Sequence, residues 1–366
     1  MSRSSSPTPA RFTRSRRMQY RAPRWLPGGH AQTIWPALFS RQHDGPPPNW
    51  TRERWDTPDG DFIDVDFLAG GEPPAREYAS APPGGPSRSW ERPGDRLGRP
   101  PETPLLVLFH GLEGDRTSHS SVAFASVARA RGWAMALPHF RGCSGELNRG
   151  PRAYHSGDFE EVGWILQRLR ERHGSKLLVA GVSLGGNALM RWAEEAGHSA
   201  AQVAQAVCSI CSPIDLAAAG AAIDRGFNRQ VYARRFLRTM IPKALRKLQQ
   251  HPGLFDGERL KRASTIYEFD NLFTAPLHGF RNTEDYWTRA AAKPHLHRIR
   301  IPALVLNARN DPFVPGGSLP HAAEVGAHVT LWQPGHGGHV GFPAGRLPGH
   351  LLTMPEQVCD WLWKQR

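Results

Sequence analysis

The sequence predicts an α/β protein with a mostly parallel central sheet flanked by helices and a helical cap insertion. Three observations predict it. Short apolar runs of strand length occur at 105–109, 176–180, 204–212 and 301–306, and they read as strands covered on both faces. Stretches of good helix formers lie between the earlier runs. The alternation stops at 213 and resumes at about 300. A strand–helix–strand crossover needs only about 30 residues, so the intervening stretch is an insertion.

In chain order, residues 1–22 are rich in Ser and Arg with almost no apolar periodicity. They read as a disordered basic tail ahead of one domain spanning 23–366. The same acid-free composition is that of a transit peptide, whereas a secretory signal would need an apolar stretch that is missing. The aromatic segment from Trp25 to Trp35 is expected to pack on the core, with His30 as a capping or core residue. Residues 59–68 follow an Asp-Gly turn with alternating acidic and apolar side chains, the pattern of a half-buried antiparallel strand. Pro, Gly and charge fill about 70–104, a flexible loop expected to tolerate deletion. Helices at 118–131 and 159–172 enclose a strand at 133–137, and Asp158 is placed to cap the second helix. A strand at 329–332 and a helix at 355–365 close the chain.

The stretch that carries chemistry is Gly181-Val182-Ser183-Leu184-Gly185-Gly186-Asn187. An apolar strand precedes it and helix formers follow. Gly-x-Ser-x-Gly is common by chance, but strand, turn and helix in that order describe a sharp elbow that exposes a serine Oγ. Gly181 and Gly185 carry no Cβ to clash at the bend, and the serine itself is expected in strained backbone geometry. The helix start aims N–H groups and a positive dipole end at the place where an oxyanion would form.

A second element precedes it. The strand at 105–109 ends in His110-Gly111-Leu112-Glu113-Gly114, whose glycines let the Leu112 N–H turn toward a substrate oxygen beside the Leu184 N–H. His110 and Gly111 are expected to line the site. Two further groups follow the serine. Asp311 stands at the carboxyl end of the strand at 301–306, where sites in parallel sheets are built. The exit loop of the last strand, Pro334-Gly335-His336-Gly337-Gly338-His339, holds two histidines. The order Ser183, Asp311, His339 is that of a serine nucleophile with its acid and base. Spacing alone does not choose between His336 and His339, and Asp215, just past the strand at 204–212, is a rival acid. His139 and His155 precede the serine and read as structural or site-lining.

Bulk properties exclude several classes. No run approaches the roughly 18 apolar residues of a membrane span. Four cysteines in 366 residues make no disulfide framework. Cys208-x-x-Cys211 lies inside an apolar strand-like run with no zinc-spaced partners, so buried strand cysteines and a reducing, cytoplasmic setting are expected, without metal or cofactor. The net charge of +13 raises nucleic acid or an anionic surface as a partner. Eight arginines and no acid fall in the first 43 residues, leaving 13 − 8 = +5 for the rest, and no nucleic-acid partner is inferred. In the cap, about 213–300, residues 225–250 carry eight cations and no acid. Leu237, Ile241, Leu245 and Leu248 recur there at helical spacing, with Pro242 marking a break or a new helix start. A solvated cationic face is the preferred reading, and a surface that attracts anionic lipid, through peripheral membrane contact, or an acidic substrate is the sharper one.

Taken together, the chain resembles the α/β-hydrolase superfamily, and within it the YheT-like branch that includes embryogenesis-associated plant proteins and lipid-active mammalian relatives. The resemblance runs from about Pro23 to the C-terminus. It rests on Gly28-Gly29-His30 with Gln32 and Thr33, His110–Gly114, Arg141-Gly-Cys-Ser-Gly-Glu146, Tyr154-His-Ser-Gly157, Gly181–Asn187, Thr274–Phe280 and Gly337–Phe342. It implies a serine hydrolase acting on carboxylic esters, small-molecule or lipid, with Ser183 as nucleophile, Asp311 as orienting acid and His339, not His336, as base. His278, within the cap motif, is implied as a site-lining residue. Acyl transfer to an alcohol or thiol, and a non-catalytic binding protein on the same fold, are the alternatives.

Overall fold

The computed structural model describes residues 18–69 and 103–366. Eight strands form one sheet: Trp50–Asp56 (β1), Phe62–Leu68 (β2), Leu105–Phe109 (β3), Ala134–Pro138 (β4), Leu177–Val182 (β5), Ala204–Ile210 (β6), Ala303–Leu306 (β7) and Val329–Trp332 (β8). Their spatial order is β1-β2-β4-β3-β5-β6-β7-β8. The pairs β1/β2 and β2/β4 are antiparallel and the rest parallel. Strands β3 to β7 are buried along nearly their whole length, as their unbroken apolar runs require.

Helices cover both faces. Phe159–His173 (α3) and Leu184–Ala196 (α4) contribute to a core with Val107, Phe109, Val179 and Val207. His119–Ala130 (α2) and Thr353–Trp363 (α8) contribute to the opposite one, with Leu106, Leu108, Ala180 and Leu304. Asp158 caps α3 by accepting from the Glu161 N–H, and Gly174 closes it in the left-handed conformation. An N-terminal helix, Gly29–Phe39 (α1), precedes the sheet.

Two expectations change here. The acidic residues of β2 are not on a solvated face: every residue of that strand is buried. Asp64 and Asp66 stand opposite Arg54 and Arg52 of β1, each held by two bonds of 2.7–2.8 Å. Burial would raise these carboxyls, but the paired arginines outweigh it and hold both below the usual carboxylate range. The partner strand β1 carries the compensating charges, so β2 alone could not reveal the burial. The N-terminal boundary also moves. Residues 1–17 of the expected tail, and 70–102 of the expected loop, lie outside the described residues, but Met18 and Tyr20 pack on the core. Tyr20 donates to the Pro343 carbonyl at 2.7 Å and meets the Phe342 ring edge-on.

Between β6 and β7 the chain is helical, with Leu216–Ile223 (α5), Arg234–Gln250 (α6), Thr283–Ala290 (α7) and shorter turns. Pro242 lies inside α6 rather than ending it. Met240, Ala244 and Lys247 are buried on either side of it, so tertiary packing holds the helix through the proline. Two small apolar clusters, one around Leu237, Met240 and Phe273 and one around Tyr286 and Trp287, form the cap's own cores.

Candidate active site

The site begins where β5 turns into α4. Ser183 has φ 52° and ψ −120°, a conformation few non-glycine residues adopt. A Cβ on Gly185 would sit 2.4 Å from the His110 carbonyl oxygen, and one on Gly181 would sit 2.5 Å from the Gly185 oxygen. The elbow therefore passes through the backbone of its neighbours with no room for a side chain.

His339 bridges the two other groups. Its Nε2 lies 3.0 Å from Ser183 Oγ and its Nδ1 2.9 Å from Asp311 Oδ2. The free oxygen of Asp311 accepts from the N–H groups of Phe313 and Val314 at 2.7 and 3.2 Å, which fixes the carboxylate plane. The Phe313 ring lies 4.1 Å from the imidazole, centroid to centroid. Serine, histidine and aspartate thus form one hydrogen-bonded chain, with His339 and Asp311 both buried. This arrangement lets a proton move from Oγ to Nε2 while Nδ1–H stays pinned on a carboxylate.

Leu112 and Leu184, the residue that follows Ser183, line one cavity under the cap, whose walls do not include Ser183 or His339 themselves. Neither amide N–H is engaged in a hydrogen bond among the described residues. Leu184 opens α4, so its N–H has no partner within the helix. Gly111 faces the serine: a Cβ there would lie 3.2 Å from Ser183 Cβ. His110 does not line the cavity. It is fully buried behind the loop, with Nδ1 2.8 Å from the Gly111 oxygen and Nε2 accepting from the Phe140 N–H at 3.2 Å. Burial, with His139 nearby, pushes its pKa down to about 3 and keeps it neutral. Since the Gly111 carbonyl and the Leu112 N–H belong to one rigid peptide plane, pinning the oxygen on one side fixes where the N–H points.

The other singled-out residues fall elsewhere. His278 faces the carbonyls of Thr274 and Ala153 and lines a surface groove that shares Arg152 and His155 with the cavity, without lining the cavity itself. It fastens the cap to the 152–155 loop. Asp215 caps α5 by accepting from the Ala218 N–H, and His336 is exposed, with Asn310 as its contact. His139 is buried against Asp66 at 2.7 Å, and His155 lines the cavity. His30 contacts the Tyr232 hydroxyl at 3.1 Å. All four cysteines are free and buried, and burial pushes the Cys143 and Cys359 thiols up to about 12. Among the described residues no group of three or more His, Cys, Asp or Glu is arranged to hold a metal ion.

Several supporting residues had no assigned role in the sequence reading. Gln32 accepts from the Gly337 N–H at 2.9 Å, and the Thr33 hydroxyl accepts from the His339 N–H at 2.8 Å. The start of α1 thereby cradles the histidine loop across some 300 residues of sequence. Asn187, on α4, donates to the carbonyls of Ser156 and Ala290 and accepts from the Ala292 N–H. It ties the elbow helix to both the 154–157 loop and the end of the cap. Finally, Glu113 in the 110–114 loop accepts from Tyr154 Oη at 2.8 Å and from Lys243 Nζ of α6 at 2.7 Å. These residues coincide with the motif stretches, and only their partners were invisible.

The cavity itself has a volume of about 70 Å³. Leu112, Leu184, Met240 and Phe273 give it apolar wall, and Lys243 and Asp270 give it polar wall.

The comparisons with known proteins decide the family. The model of the alpha/beta hydrolase fold matches residues 104–345. The Escherichia coli protein named "Putative esterase YheT" is 36% identical over 91% of this chain and 89% of its own. The chain belongs to the α/β-hydrolase family, in its YheT-like branch. Mouse "Phospholipase ABHD3" is 28% identical over 69% of this chain. Yeast "Monoacylglycerol lipase" is 27% identical over 71% of it. This α/β hydrolase spans 61% and 59% of the length of those two relatives. A solved structure of DcsB in complex with its substrate analogue covers 87% of the hydrolase at a TM-score of 0.51 and 12% identity, a likeness of fold alone. Among the described residues no helix is long and apolar enough to cross a membrane.

Proposed function

We propose that this α/β hydrolase is a serine carboxylic-ester hydrolase acting through a covalent acyl-enzyme. The observation that carries the reading is the chain of contacts from Ser183 Oγ through His339 to Asp311, at 3.0 and 2.9 Å, built on a serine in strained backbone geometry. The names borne by the E. coli, mouse and yeast relatives support ester chemistry.

In this reading Ser183 attacks the ester carbonyl as His339 Nε2 takes its proton. The Leu112 and Leu184 N–H groups receive the negative charge that develops on the carbonyl oxygen, each contributing roughly 3–4 kcal/mol to the transition state. His339 returns the proton to the departing alcohol. It then activates water, which attacks the acyl-enzyme and releases the acid. No cofactor takes part. The proposed substrates are short-to-medium acyl esters, including those of lipids, in keeping with the small volume of the cavity that Leu112 and Leu184 line. A series of p-nitrophenyl esters tests this: kcat/KM is expected to be highest for short-to-medium chains and to fall for long ones. No turnover on any chain length contradicts the reading.

Glu113 has a positioning role in the same reading. Its carboxylate holds the oxyanion loop between Tyr154 and Lys243, and its own N–H donates to Tyr154 Oη at 3.1 Å. Glu113→Ala is expected to lower kcat up to about 100-fold, the scale of an ångström-sized misplacement of a catalytic donor, with a much smaller change in KM. An unaltered kcat in the folded variant separates this clamp from the oxyanion donors.

A further inference from the structure

The cap carries a surface that the chemistry at Ser183 does not use. Of the eight cations between 225 and 250, Lys243 and Lys247 face inward, on Glu113 and on the carbonyls of Asn148 and Gly150. The other six, Arg225, Arg229, Arg234, Arg235, Arg238 and Arg246, are exposed. None of the six forms an ion pair among the described residues. Unpaired arginines alone describe a solvated face. What distinguishes this one is Phe227 and Val231, which are 51% and 36% exposed. They lie four residues apart in the helical run that passes from Gly226–Asn228 through Arg229–Ala233 into α6, a spacing that puts them on one side of it.

The patch adjoins the active site. Phe227 meets the Tyr232 ring edge-on at 6.0 Å, Tyr232 meets Phe313 at 4.5 Å, and Phe313 lies against His339 at 4.1 Å. Three ring contacts therefore separate an exposed apolar tip from the imidazole beside Ser183.

We propose that this face docks the enzyme on an anionic lipid surface. Phe227 and Val231 enter the boundary between headgroups and acyl chains, and the arginine row meets the lipid phosphates. Charge complementarity selects the anionic surface. The exposed phenylalanine and aliphatic valine select lipid over nucleic acid, whose backbone would be met by the arginines alone. Docking deepens the ester-hydrolase reading and rests on it for what becomes of the lipid, because it sets the cap side of the site against the surface that holds the substrate.

The test uses the full chain, phosphatidylcholine vesicles with and without phosphatidylglycerol, and flotation to read bound protein. Hydrolysis of a soluble p-nitrophenyl ester is followed in the same preparations. Binding is expected on the anionic vesicles only and is expected to weaken with salt. Arg234→Gln with Arg235→Gln should weaken it about 30-fold, from about 1 kcal/mol for each cation at the surface. Phe227→Ser with Val231→Ser should weaken it about tenfold or more, with soluble-ester hydrolysis retained in both pairs. Binding unchanged by either pair overturns the proposal, including the case in which deleting residues 1–17 alone abolishes it. Retention on duplex DNA without vesicle binding also overturns it and assigns the face to nucleic acid. If vesicle binding follows both pairs but no ester is hydrolysed, the docking surface stands and the ester-hydrolase reading falls.

Discussion

Ser183→Ala is expected to lower turnover on a p-nitrophenyl ester by about six orders of magnitude, the loss seen when a serine, its base and its acid act as one unit. The substitution removes a single oxygen at the one residue of the elbow whose φ of 52° costs strain. Its neighbours Gly181, Gly185 and Gly186 are untouched, so the fold is expected to hold. The residual rate reports what the Leu112 and Leu184 N–H groups and the cavity achieve without a nucleophile. Measurement of kcat alongside a thermal melt decides the matter. A folded variant within tenfold of the parent removes Ser183 from the reaction.

Asp311→Asn is expected to cost about 10⁴-fold in kcat with little change in stability. The amide keeps the shape of the carboxylate, and its oxygen can still accept from the Phe313 and Val314 N–H groups. Its NH₂ then faces His339 Nδ1, where Oδ2 now lies at 2.9 Å. That donor forces Nδ1 to accept and places the ring proton on Nε2, opposite Ser183 Oγ, where it blocks proton uptake. Binding of a non-hydrolysable ester analogue should survive, so the loss is expected in kcat rather than in affinity. An Asp311→Asn enzyme that keeps more than a tenth of the parental kcat would show that the carboxylate does not set the tautomer.

The elbow was legible because one short stretch encodes both backbone and chemistry: glycines that a Cβ would jam, between an apolar strand and a helix former run. The strands β3 to β7 were legible for a related reason, since strands buried on both faces are apolar throughout. What escaped depended on partners distant in the chain. The burial of Asp64 and Asp66 follows from Arg54 and Arg52 on a strand, β1, that the pattern did not reveal. The cradle that Gln32 and Thr33 make for the His339 loop joins residues about 300 positions apart, and no local periodicity encodes such a contact. Pro242 marked a break or a new helix start because its ring opposes helix propagation, yet packing of Met240 and Ala244 carries α6 past it. His278 illustrates the reverse error. A histidine inside a family motif was expected at the site, and its ring instead fastens the cap to the carbonyls of Thr274 and Ala153.

The most direct test of the central claim is to label the purified, folded protein with a fluorophosphonate probe and map the adduct by peptide mass. An activated serine next to a base and two oxyanion donors should take the phosphonyl group covalently. The adduct is expected on Ser183, absent in Ser183→Ala and greatly slowed in His339→Ala. A folded protein that forms no adduct, or forms one on another residue, contradicts the assignment of Ser183 as the nucleophile of this hydrolase.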